Sequence, residues 1–178
     1  MTDNELKALI RKTLLDLLAL QGVTDVPVLA GYQPTGQGRA PKGIYFFPVG
    51  EPQYGWQSRK SRFDVVTGNQ VHTESQIALS QFQIGGYAQE SPSDTEAPTA
   101  LDVTRLASML IKSTPAIEAL KKAGAGLQRI TTIRTPYFEN DQGRQEAAPS
   151  FDITISHQCT ITLSTPSFKS VELAITRV

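Results

Sequence analysis

At 178 residues, with seventeen basic side chains balancing seventeen acidic ones, the chain is long enough for one domain with a real core and carries no net charge at neutral pH. That balance excludes a global field that would draw it to DNA, RNA or an anionic membrane surface. The hydrophobic share of 39% and charged share of 19% are globular values, and the surplus of Thr, Ser, Gln, Gly and Pro favours strands and loops.

A single cysteine, Cys159, cannot form an internal disulfide, which fits a reducing compartment. No apolar run approaches the roughly 20 residues that span a bilayer. Asp3 and Glu5 precede the first leucines, so the N-terminus lacks the basic start of a signal peptide and the expected starting place is the cytoplasm.

Thr2 and Glu5 have capping-box spacing, and Leu6, Leu9, Ile10, Thr13, Leu14, Leu17 and Leu18 follow helical rhythm until Gly22. Leu15 and Leu20 widen that stripe, predicting a helix packed on two surfaces. Pro27 to Gln33 reads as a short strand and Ile44 to Val49 as another. Between them Gln33 to Gly43, with two prolines and three glycines in eleven residues, reads as a loop. Its Arg39 and Lys42 do not make a phosphate cradle, because the glycines lead into a strand and not into a helix.

Tyr54 to Val66 and Gln70 to Tyr87 predict the long arms of a hairpin turning at Thr67-Gly68-Asn69, with apolar residues on both faces of the second arm. Arg59, Lys60 and Arg62 make a basic cluster near Trp56. Residues 89–98, with two prolines, two serines and three acids, read as a flexible linker within a single domain spanning 1–178. Thr99 and Asp102 cap a helix bearing Leu101, Val103, Leu106, Met109 and Leu110. Thr114-Pro115 starts a second helix, running through Ile117 and Leu120 to Gly124 and Gly126.

Leu127 to Phe138 predicts a strand and Glu139 to Pro149 a polar loop. From Phe151 to Leu163 apolar and polar residues alternate without a break, the period of two of an extended strand roughly 40 Å long. Thr165-Pro-Ser167 breaks it, and Phe168 to Val178 reads as a last strand. The order of helix, strands, helices and strands, with no internal repeat, predicts an α+β fold. Its largely antiparallel β-sheet is packed by an N-terminal helix and a mid-chain helix pair, and a long hairpin and loops protrude.

Chemistry is not advertised. His157 and Cys159 share a strand face and could supply two metal ligands. The only other histidine is His72, so a closed zinc site would need carboxylates from elsewhere. No Gly-x-Ser-x-Gly elbow is present, and Asp141 and Glu146 lie in a polar loop where carboxylates are simply hydrated. The expectation is no catalytic residue, no cofactor and no metal.

Four stretches carry a resemblance: Leu29 to Pro48, Tyr54-Gly-Trp-Gln57, Gln81-Phe-Gln-Ile-Gly-Gly-Tyr87 and Thr135-Pro-Tyr-Phe-Glu-Asn-Asp-Gln142. Together they resemble the gateway or neck (tail) terminator proteins of tailed bacteriophages. The resemblance implies a non-enzymatic virion subunit, assembled in the bacterial cytoplasm, that forms a hexameric ring with itself. Such a ring ends the tail tube and sheath, meets the collar or head-to-tail connector, lets genomic DNA pass and touches no membrane. Clustered charge in flexible segments nominates Arg39, Lys42, Trp56, Arg59, Lys60 and Arg62 as subunit-interface or lumen contacts. The competing readings are a nucleic-acid-binding accessory protein using the basic hairpin around Arg59 to Arg62, which predicts steeply salt-dependent duplex binding, and a small enzyme built on His157 or His72.

Overall fold

Both predicted capping boxes form, and they set the helices. In the computed structural model, which describes residues 1–31, 42–89, 94, 96–139 and 145–167, helix α1 (Asp3–Leu20) starts where Glu5 N–H donates to Thr2 Oγ1 at 3.3 Å and Thr2 N–H donates to Glu5 at 2.7 Å. Gly22, at φ +74°, turns the chain away after it. The helix buries one face, Leu6, Ile10, Thr13, Leu14, Leu17 and Leu18, while Leu15 and Leu20 remain exposed. The predicted second packing surface therefore meets nothing among the described residues.

The strands that follow are β1 (Val28–Ala30), β2 (Lys42–Gly50), β3 (Gln53–Asp64) and β4 (Asn69–Ala88). Helix α2 (Ala100–Lys112) begins at the second capping box, where Asp102 N–H donates to Thr99 Oγ1 at 3.2 Å. Helix α3 (Thr114–Lys122) has Pro115 in its first turn. The last strands are β5 (Ala125–Ile130), β6 (Tyr137–Glu139), β7 (Gln145–Ala147) and β8 (Ser150–Pro166).

The main sheet runs β1-β2-β4-β8-β5, with β3 also on β4, and only the β1–β2 pair is parallel. It is largely antiparallel, with the three helices packed on one face around Phe46, Phe82, Ile84, Phe151, Ile153 and Ile155. Gly86 permits the closest approach. Its N–H donates to Thr104 Oγ1 at 2.9 Å, and a Cβ there would lie 2.8 Å from the Thr104 backbone nitrogen. The opposite face carries the half-buried row Tyr45, Phe47 and Tyr87, with Tyr45 lying over Gly85.

The structure corrects several predicted boundaries: the hairpin turns at 65–68 rather than at Thr67–Asn69, and β8 runs on through Thr165 to Pro166, where a break was expected, because both residues pair with β4. The strand expected over Leu127 to Phe138 ends at Ile130, because the chain there leaves β8 through an irregular stretch whose Arg134 bridges to Ser150. Tyr137–Glu139 instead pairs with Gln145–Ala147 in a separate two-stranded sheet, so part of the expected Glu139–Pro149 loop is strand. The predicted Gln33–Gly43 loop up to residue 41, most of the 89–98 linker before residue 94, the 140–144 loop tip and the predicted last strand Phe168–Val178 lie outside the described residues.

Candidate functional site

Strand β4 has twenty residues, roughly 65 Å of extended chain, and β8 pairs with it from Ser150 to Pro166. The helices cover only part of that length. Burial ends at Ala78 on β4 and at His157 on β8. Beyond them residues 69–77, residues 158–166 and β3 continue as a three-stranded arm closed by the turn at 65–68, where Gly68 has φ +67°. The predicted hairpin supplies two of this arm's strands, its second strand running on into the helix-covered sheet, and the predicted long strand supplies the third.

Strand alternation sorts the arm's side chains onto two faces. Pairing of Arg59, Glu74 and Ile161, of Ser61, His72 and Leu163, and of Phe63 with Gln70 puts these residues on the face continuous with the helix-covered core. Here Phe63 is 50% exposed, Ile161 52% and Leu163 55%, an apolar stripe without helical cover. His72 bridges the three strands on this face, its Nδ1 2.9 Å from Ser61 Oγ and its Nε2 3.0 Å from Thr165 Oγ1. The other face is hydroxyl-rich: Ser75 and Thr160 hydrogen-bond across the strands at 3.2 Å, and Lys60 and Arg62 pair with Thr73 and Val71.

The six nominated contact residues therefore do not form one patch. Arg59 lies across from Glu74, 3.4 Å away, while Lys60 and Arg62 occupy adjoining positions on the opposite face. Trp56 is 98% exposed beside Gly55, at φ +74°, where the β3–β4 register slips. Lys42 sits at the start of β2, ion-paired with Asp25 at 2.5 Å, and that ammonium holds the Asp25 carboxyl below the usual carboxylate range. Arg39 lies outside the described residues. Charge clustering missed the stripe of Phe63, Ile161 and Leu163. Its signal was present in the unbroken alternation, but alternation alone reads those positions as core.

The other polar convergence lies at the arm's root. His157 is 5% exposed on β8, opposite the small Ala78, with Nε2 2.8 Å from Ser80 Oγ and 3.9 Å from Glu51 Oε1. Its Nδ1 is 3.8 Å from Cys159 Sγ. Burial above all, and then the N-terminal ammonium, push the imidazole below its usual range against the opposing pull of Glu51. Sequence reading paired His157 with Cys159 but missed Glu51, which the β2–β3 junction delivers from far along the chain.

A sheet prolonged past its helices into a half-apolar arm is the build of a structural subunit. The chain belongs to the family described as E217 gateway protein gp29, which matches residues 5–167. That family is one of gateway proteins, a structural and not a catalytic class. Among solved structures the chain is similar to the sheath/tube terminator, in its extended state, of the extracellular contractile injection system PVC. Identity is 13% and the TM-score 0.44, over 96% of this chain and 63% of that one. The chain thus spans under two thirds of that protein's length. No curated protein matches it in sequence.

Proposed function

We propose that copies of this chain, each a single terminator-like domain, close into a six-fold ring that ends the tail tube and sheath and joins them to the collar or connector in the virion neck. The arm mates with the adjacent copy. A ring closes from head-to-tail contacts between two different patches of each subunit, and the arm supplies one of them.

The observation that carries this reading is the arm itself. Among the described residues β5 pairs with β8 only up to His157, so the outer edge of β8 from Gln158 to Pro166 has no strand beside it. An extended segment of a neighbour can add there, with main-chain hydrogen bonds giving affinity and the apolar stripe giving register. Zero net charge suits a channel through which DNA must slide without being held. The arm's cations stand on opposite faces, which leaves no continuous basic track for a nucleic-acid-binding accessory role.

The test is imaging and light scattering of the purified protein alone and with tail tubes carrying no terminator. Annular six-subunit particles, free or at tube ends, support the reading. Tubes that stay uncapped beside a persistent monomer overturn it.

A further inference from the structure

We propose that Glu51, His157 and Cys159 form a site for a zinc-class divalent cation at the root of the arm. Nothing in the assembly role calls for this site, and it stands on the geometry of three side chains. A carboxylate oxygen, an imidazole nitrogen and a thiol sulfur, one from each residue, lie within 4.8 Å of one another. Glu51 and Cys159 border a hollow of about 240 Å3 that Gln76, Ile77 and Ala78 also line. Ala78, directly opposite His157, leaves that space open.

The donor set selects the cation. Mixed sulfur, nitrogen and oxygen ligands suit Zn2+ and its spectroscopic substitute Co2+, whereas Mg2+ and Ca2+ require oxygen. At ordinary zinc bond lengths and tetrahedral angles, an imidazole nitrogen and a thiolate sulfur stand about 3.5 Å apart. Nδ1 and Sγ are 3.8 Å apart, so the pair needs to close by only a few tenths of an ångström. Glu51, now 3.9 Å from Nε2 and more than half exposed, completes the set by swinging toward Nδ1.

The support behind the imidazole is also in place. Ser80 Oγ lies 2.8 Å from Nε2; in the tautomer that donates Nε2–H to it, Nδ1 presents its lone pair toward Cys159, the arrangement in which a ligand histidine is oriented through its other nitrogen. Burial favours the neutral ring that a metal requires. Three protein ligands leave a fourth position for water or for a side chain of an adjacent copy. The bound cation would tie β8 to the β2–β3 junction where the helical cover ends, fixing the arm's direction.

The experiment titrates full-length protein, reduced and freed of metal by a chelator, with Co2+ alone, followed by displacement with Zn2+. The chain has one cysteine, so a thiolate-to-cobalt charge-transfer band reports Cys159 and nothing else. One equivalent of Co2+ is expected to produce that band together with tetrahedral d–d absorption, and Zn2+ to remove both. Cys159→Ser abolishes the band. Glu51→Gln weakens Co2+ binding by more than the roughly tenfold that losing a supporting hydrogen bond costs. Both side chains are exposed, so the variants retain the wild-type circular dichroism spectrum. A wild-type protein that gives no band, or a Glu51→Gln variant that binds as tightly as wild type, overturns the site.

Discussion

Replacing Ile161 and Leu163 together by threonine separates the arm's role in assembly from its role in folding. Both side chains are about half exposed, at 52% and 55%, and stand outside the helix-covered core. Threonine, β-branched and so suited to a strand, matches the neighbouring Thr160 and Thr162, and the cross-strand ladder with Glu74 and His72 is retained. Full burial of such side chains is worth about 1.5–3 kcal/mol each, and half of that remains to be gained on contact. The expected loss is about 1 kcal/mol per side chain and about 2 kcal/mol per subunit contact, roughly 30-fold in the contact's equilibrium constant. Around a closed ring the deficit repeats at every contact, so assembly should fail at concentrations where the wild type completes it. Urea unfolding should move by less than about 1 kcal/mol. Light scattering and negative stain read the first effect and denaturation the second. Normal rings from the double variant would refute the stripe as a contact, and coupled loss of fold and assembly would refute the claim that the stripe lies outside the core.

Neighbouring glycines on β4 should respond differently to alanine. At Gly86 a Cβ meets Thr104 Oγ1 at 2.7 Å and Ala100 carbonyl oxygen at 3.0 Å, so α2 must lift and a cost of about 2–3 kcal/mol in urea unfolding is expected. At Gly85 it meets only the far end of the Tyr45 ring, which swings aside, and the change should stay under about 1 kcal/mol. Thr99→Ala removes the cap of α2 and should cost about 1 kcal/mol, measured by thermal or chemical unfolding. His157 is held below its ordinary pKa by burial, so its contribution is complete above the unfolded-state value near 6.5 and is lost as pH falls through that value toward the folded one. In chelator, stability should fall from pH 7.5 to pH 5, and His157→Gln should flatten that fall; an identical profile in the variant refutes the assignment.

Local patterns in the sequence determined most of the elements. Thr2 with Glu5 and Thr99 with Asp102 placed both helix starts, because a capping box is satisfied within four residues. The alternation from Phe151 placed β8 as one long strand, and Gly68 marked the hairpin turn to within two residues of its observed place at 65–68. Where β5 ends was not legible, since β propensity runs on from Leu127 through Phe138 while the pairing partner does not.

What only the tertiary structure decided is where helical cover stops along β4 and β8. Period two says which residues share a face, but not whether a helix lies over that face. Phe82, Phe151 and Ile153 are therefore core, while Ile161 and Leu163, on the same face of the same continuous sheet, stand open to solvent. The same holds for charge. Arg59, Lys60 and Arg62 are neighbours in sequence but divided by the pleat, whereas Glu51 and His157, 106 positions apart in the numbering, meet because β2, β4 and β8 lie side by side. Short-range order is written in neighbouring residues; the register of distant strands, and the end of the helical layer over them, exist only once the chain has folded.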